Sequence, residues 1–193
     1  MYKNHRIFLI AAMLYPSRGI GFKGDLPWRK AGVGSLKEDM RFFHDTTMAV
    51  ADKVADVEKQ NMVIMGRNTW NSIPSKHRKL ADRKNVVITH KVDLVEEPKK
   101  IDAIVTSYED ALAAANESVA DIFVIGGAMV YDYALKHPAT DGVYLTQVTA
   151  DFPCDTFFPA LPAIFSSQPK KLDSGEQGGI RYEFLLFTRQ HSL

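Results

Sequence analysis

The chain has 193 residues, a length that fits one domain able to bury a sizeable core. Its 24 lysines and arginines balance 23 aspartates and glutamates without long single-sign blocks, so charge offers no case for a nucleic-acid or anionic-membrane partner. One cysteine, Cys154, excludes an internal disulfide and a thiolate metal cluster, and the six histidines lack ligand spacing, so no metal is expected.

The first segment, "MYKNHRIFLIAAMLYPS", sets basic residues before a nine-residue apolar run, Ile7 to Tyr15. No small-x-small cleavage site follows, and the run falls far short of the ~20 residues that cross a bilayer. It reads as a buried strand over 6–13. "GIGFKG" (19–24) has the form G-x-G-x-x-G, the dinucleotide fingerprint. That fingerprint needs a helix after its last glycine, whereas Pro27 holds Leu26 extended. A glycine-rich flap beside a ligand is the better reading.

"SLKEDMRFFHDTT" (35–47) predicts an amphipathic helix whose inward stripe, Leu36, Met40, Phe43 and Thr47, also contains Asp39. A carboxylate among Leu, Met and Phe has its pKa raised and suits hydrogen bonding or proton delivery to a polar heterocycle. An ion pair with Arg41, or a rotated helix, is the alternative; Glu38 is expected to face solvent. The polar 46–60 segment fits a loop or a helical extension equally.

Beyond it, "NMVIM" (61–65), "NVVIT" (85–89), "AIVTS" (103–107) and "DIFVI" (121–125) are apolar at nearly every position, as in parallel strands covered on both faces. Between them lie "RNTWNSI" (67–73), ended by Pro74, "SYEDALAAANE" with Ser107 as N-cap, and "AMVYDYALKH" (128–137), stopped by Pro138. This alternation predicts an α/β fold with right-handed crossovers. "GVYLTQVTA" (142–150) and "IRYEFLLFTRQ" (180–190) predict antiparallel strands at one edge, hence a mixed, mostly parallel sheet.

Three strand ends carry binding chemistry. Gly126-Gly127 passes straight into a helix, whose free N–H groups and positive dipole end suit a phosphate. Gly66, Arg67 and Thr69 repeat the design, and a third strand ends in Thr89, His90 and Lys91. Each alone fits a plain turn or a solvated loop. Together at one sheet edge they suggest a long, doubly anionic cofactor.

"GIGFKGDLPW", an acid followed by MRFF, "NMVIMGRNTWNSIP", "RKNVVIT", "FVIGGAMVY" and "DTFFP" (155–159) follow the order and nearly the spacing of dihydrofolate reductase, which the chain resembles from about Ile7 to Arg189. The resemblance implies a single domain over 1–193 with a mixed central sheet flanked by helices. It implies NADPH-dependent reduction of 7,8-dihydrofolate to tetrahydrofolate, by hydride transfer to C6 and protonation at N5, with antifolates as further ligands. Asp39 would hold the pterin amino group and N3 and promote protonation, oriented by Thr146. Arg83 would grip the α-carboxylate of the glutamate tail. Met40, Phe43, Ile73 and Ile125 would sandwich the rings, with Ile10 and Ala12 lining the pocket from the first strand.

For NADPH, the resemblance implies a mobile loop containing Gly19, Ile20, Gly21, Gly24, Asp25 and Leu26 that closes over the nicotinamide beside Ala12. Gly126, Gly127, Ala128, Met129, Val130 and Tyr131 would cradle the pyrophosphate, with a cis Gly-Gly peptide. Arg67 and the turn of Thr89, His90 and Lys91 would hold the adenosine 2′-phosphate, selecting NADPH over NADH, and Gly66, Asn68 and Thr69 would also bind the cofactor. The chain departs from the family in three places. His90 stands where many members have Arg. Lys79 follows Arg78 where many have Pro, which leaves a cis turn there open. "RKAGVGS" (29–35) lengthens the link before the acid, with Glu38 as the alternative acid. The expected protein is a cytosolic monomer with no fused thymidylate synthase domain. A pyrimidine reductase of riboflavin synthesis on the same fold, or a noncatalytic NADPH-binding module, is the alternative.

Overall fold

Strand β1 (Ile7–Tyr15) shows why its sequence is apolar at almost every position. Ile7, Leu9, Ala11 and Met13 enter the core on one side of the sheet, while Phe8, Ile10, Ala12 and Leu14 face the cores on the other. The computed structural model describes residues 5–50 and 59–190. In it β1 lies inside an eight-stranded sheet of order β5-β4-β3-β6-β1-β7-β10-β9. The partners are β3 (Gln60–Gly66), β4 (Arg83–Ile88), β5 (Ala103–Val105), β6 (Val119–Gly126), β7 (Thr140–Thr149), β9 (Lys170–Gln177) and β10 (Ile180–Thr188).

Six neighbouring strands, β5 to β7 in that order, run parallel, and β10 and β9 continue antiparallel. The 142–150 run is therefore parallel to β1 and antiparallel only to β10, a correction to its expected pairing. The outer edge is β9, which was not foreseen: "KKLDSGEQ" is exposed along most of its length and has no apolar alternation to read. Its charges blunt an edge that otherwise invites pairing with another chain. The short antiparallel pair of β2 (Gly19–Gly21) and β8 (Thr156–Phe157) was also missed.

Helices α4 (Tyr108–Ala113) and α5 (Ala128–Lys136) cover one face through Tyr108, Leu112, Val130 and Leu135. Helices α2 (Lys37–Met48) and α3 (Arg67–Ser72) cover the other, where Trp70 is buried against Val63, Val87 and Phe123. Ser107 caps α4 by accepting the Asp110 N–H at 3.0 Å. A one-turn helix α1 (Pro27–Lys30) starts with Pro27 after an extended Leu26, two residues beyond the glycine flap. Helix α2 begins at Lys37 rather than Ser35 and runs to Met48; residues 51–58 of the undecided 46–60 segment lie outside those described.

The inward stripe of α2 also needs correction. Leu36, Asp39 and Thr47 are buried, but Met40 is 49% exposed and Phe43 half-buried. The physical reason is that this face overhangs an open cleft, so its middle residues line ligand space instead of core.

Candidate active site

A cleft of about 2220 Å³ follows the carboxyl ends of β3, β4 and β6 and reaches mid-strand residues of β1 and β7. Pockets for one small ligand hold roughly 300–1,000 Å³, so this open cleft has room for more than one. Right-handed βαβ crossovers put all these strand ends on one edge, which is why separated sequence segments meet.

Asp39 lies in the first turn of α2, 8% exposed and without an ion pair among the described residues. Arg41 pairs instead with Glu38, so neither an Asp39–Arg41 bridge nor an inward Glu38 is observed. Burial lifts the Asp39 carboxyl to about 6, and a hydrogen bond with Thr146 works against that rise. Thr146 stands opposite Ala12 in the β1–β7 register, so the sheet itself fixes the hydroxyl beside the carboxylate. Ile10, Ala12, Met40, Phe43, Ile73 and Ile125 line the same part of the cleft. The buried Tyr131 hydroxyl donates to the Ile10 carbonyl at 2.8 Å. Burial and the charge of Asp39 push its pKa well above the ordinary phenol range, so it stays neutral.

Arg83 opens β4 and is 6% exposed. Its Nε donates to the Ala81 carbonyl at 2.9 Å and Nη1 to Thr47 Oγ1 at 2.7 Å, which leaves three of the five guanidinium N–H groups for a ligand. Burial lowers its pKa while Asp82 opposes the shift. Thr47 is itself held, because Asn61 Nδ2 donates to the Thr47 carbonyl at 2.9 Å and to the Ala49 carbonyl at 2.8 Å. The turn before Arg83 contains a cis Arg78–Lys79 peptide although residue 79 is lysine. Lys79 Nζ reaches Asp102 at 2.5 Å, and Asn85 donates to the Leu80 carbonyl at 2.9 Å.

The other end of the cleft is lined by Gly126, Gly127, Ala128, Met129, Val130 and Tyr131. Helix α5 starts there behind Gly127 with no side-chain cap, so its first N–H groups remain available to an anion. The Gly126–Gly127 peptide is cis. Gly126 has φ +129°, and a Cβ there would approach Thr69 Oγ1 to 3.1 Å, so only glycine keeps this passage open. Gly66, Arg67, Asn68 and Thr69 at the end of β3 line the same space, as do Thr89, His90 and Lys91 after β4. Arg67 and Lys91 carry no ion pair among the described residues. Uncapped helix donors with two free cations fit a pyrophosphate-linked dinucleotide bearing an extra phosphate.

Ile20, Gly21, Gly24, Asp25 and Leu26 of the glycine flap line the cleft, but Gly19 does not. Gly19 packs on Cys154, whose Sγ would lie 2.1 Å from a Cβ at that position; close packing is what requires this glycine. The flap is fastened by Asp155, which accepts from the Lys23 N–H at 2.7 Å and donates its own N–H to the Gly21 carbonyl at 3.0 Å. The Lys23 N–H bond, with Thr156, holds the Asp155 carboxyl below the usual carboxylate range. Asp155, Thr47 and Asn61 were not foreseen as part of the site, because bonds between distant segments leave no periodic trace. Trp28, below the flap, is fully buried with Leu14 and Leu36, and its Nε1 has no protein acceptor among the described residues.

Among the described residues no group of three or more His, Cys, Asp or Glu side chains is arranged for a metal, and no helix is long and apolar enough to cross a membrane. The family model described as Dihydrofolate reductase matches residues 6–189. A dihydrofolate reductase of Heliothis virescens is 38% identical over 95% of this chain and 97% of its own length, and that of Drosophila melanogaster is 33% identical over 89% and 91%. A bifunctional dihydrofolate reductase-thymidylate synthase of Daucus carota is 39% identical over 95% of this chain and 34% of its own.

Proposed function

Because the chain belongs to the dihydrofolate reductase family, it reduces 7,8-dihydrofolate to tetrahydrofolate with NADPH, and we propose that Asp39 is the residue that binds and protonates the pterin. The observation that carries this reading is a buried carboxylate, without an ion pair among the described residues, that lines the same cleft as the uncapped start of α5. The 2-amino group and N3–H of the pterin form a flat donor edge that such a carboxylate accepts in two parallel bonds. Thr146 orients the acceptor, and burial raises the Asp39 pKa toward neutrality, so that the carboxyl promotes protonation of N5 by relaying a solvent proton through water. NADPH supplies the hydride when bound.

Ile10, Ala12, Met40, Phe43, Ile73 and Ile125 hold the rings and keep water out, and Arg83 takes the glutamate carboxylate. Gly126 to Tyr131, the end of β3 and the Thr89–Lys91 turn hold the cofactor, and the flap held by Asp155 covers the reacting centre. A pyrimidine reductase would need cations for its substrate phosphate where Asp39 stands, and a buried carboxylate repels phosphate. A noncatalytic NADPH module makes no use of Asp39 and Arg83 together. Spectrophotometric NADPH oxidation tests the reading directly: rapid loss of absorbance only when dihydrofolate is added supports it, and no loss rejects it.

We propose further that residues 1–193 form one reductase domain working as a monomer in the cytosol, without nucleic acid or membrane. The lone Cys154 and the charged, exposed β9 edge support that setting. His90 bears on cofactor choice, since a guanidinium offers a phosphate a planar fork of donors that an imidazole does not. His90→Arg should tighten NADPH roughly threefold to tenfold with no effect on NADH, as fluorescence titration would read. Equal tightening of both nucleotides would remove His90 from the phosphate site.

A further inference from the structure

Helix α2 carries Asp39 in its first turn but has no cap of its own, because Leu36 occupies the N-cap position. The first N–H groups of a helix need acceptors, and an apolar cap residue supplies none. Here the acceptor arrives from another part of the chain. The Lys37 N–H donates to Gln177 Oε1 at 2.7 Å, and Gln177 Nε2 donates to the Ser35 carbonyl at 2.9 Å. One side-chain amide thus clasps the backbone on both sides of Leu36.

The clasp is rigidly presented. Gln177 ends β9 and pairs in register with Ile180, with only Gly178 and Gly179 between them. Both glycines have positive φ, +59° and +78°, the signature of a tight two-residue hairpin that matches strand twist. Ile180 is buried with Trp28 and Leu36, and a Cβ on Gly178 would lie 3.8 Å from Val33 Cγ1, an ordinary contact. The hairpin tip therefore sits on the long 29–36 segment that leads into α2.

We propose that Gln177 is a positioning residue for the reaction: it fastens the entry of α2 so that the Asp39 carboxylate keeps its buried, pterin-facing orientation. The proposal rests on the reading of Asp39 as the substrate-binding acid. Gln177 touches neither ligand, so its effect must pass through Asp39. Loss of a helix cap is worth about fivefold in an equilibrium, which sets the size of the expected change.

The test compares Gln177→Ala, Gln177→Glu, Asp39→Asn and the Asp39→Asn/Gln177→Ala double variant by pre-steady-state hydride transfer across pH. Gln177→Ala should lower kcat/KM for dihydrofolate roughly fivefold and move the midpoint of the pH profile down, because a loosened Asp39 is better hydrated. NADPH affinity should not change. Lys37, Glu38, Arg41, Asp173, Glu176 and Tyr182 near this turn, and Tyr131 beside Asp39, are unchanged in these variants, so a moved midpoint reports on Asp39. Gln177→Glu keeps the acceptor for Lys37 and loses the donor, and should fall between parent and Ala. In the Asp39→Asn background Gln177→Ala should add nothing. A lowered melting temperature with an unmoved profile, or the same fold loss with and without Asp39, overturns the proposal. A crippled Asp39→Asn beside a silent Gln177→Ala rejects Gln177 alone, while a fully active Asp39→Asn rejects the reading of Asp39 as well.

Discussion

Replacing Asp39 by Asn is expected to lower kcat/KM for dihydrofolate at least about a hundredfold at pH 7.5 while leaving NADPH affinity intact. The amide keeps the size of the carboxylate, so the apolar slot survives, but it presents one acceptor instead of two and cannot lend a proton toward N5. The deficit should narrow as pH falls, because solvent acid then protonates the substrate without help. A ratio of parent to variant that stays flat from pH 5 to pH 8 would separate Asp39 from the proton path.

The same substitution should stabilise the ligand-free protein. Burial raises the carboxyl from 3.8 to about 6, so the folded chain holds this proton more tightly than the unfolded chain does. The resulting stabilisation is full below about pH 3.8 and is lost as pH rises through about 6. At pH 7.5 the folded chain carries a desolvated anion that costs roughly 3 kcal/mol, and asparagine avoids that cost. Asp39→Asn should therefore melt about 5 °C or more above the parent at pH 7.5, with the gap closing near pH 4. A gap independent of pH would mean that the carboxyl is hydrated in the folded protein. A charge kept at the expense of stability is what a ligand-binding site requires, since the bound donor edge then meets an acceptor that water does not screen.

Features that write themselves into a short window were legible in advance. The runs around Ile64, Val87 and Val124 are apolar on both faces because helices cover both faces, and Gly66-Arg67 and Gly126-Gly127 follow directly on strands whose carboxyl ends share one edge. Asp39 could be singled out because a carboxylate is out of place on an apolar stripe. What stayed hidden depends on partners far away in the chain. Nothing around Asp155 announces that it will accept the Lys23 N–H, and nothing around Gln177 announces a cap for α2. The polar β9 hides for the opposite reason, since an exposed edge strand has no buried face to impose alternation. Gly19 shows how position within a motif misleads: the three glycines of "GIGFKG" look alike, but this one is consumed by packing on Cys154.

Arg83→Leu should raise the KM for dihydrofolate roughly tenfold to a hundredfold and leave kcat nearly unchanged. The guanidinium is fixed before substrate arrives, by Ala81 through Nε and by Thr47 through Nη1, so little side-chain entropy is lost when a carboxylate docks on its remaining donors. The glutamate carboxylate lies far from the reacting ring atoms and gains nothing further in the transition state, which is why binding suffers and turnover does not. Leucine also strands the Ala81 carbonyl and removes one bond to Thr47, so some stability is lost, and the measurement must separate that loss from the lost grip. A dihydropterin substrate without a glutamate tail makes the separation: Arg83→Leu should leave its kcat/KM within about twofold of the parent. Thr47→Val, which keeps the charge but releases Nη1, should raise KM for dihydrofolate by a few fold only, roughly the worth of one hydrogen bond. Equal losses on substrates with and without the tail would mean that Arg83 serves the fold and that the carboxylate is held elsewhere along the cleft.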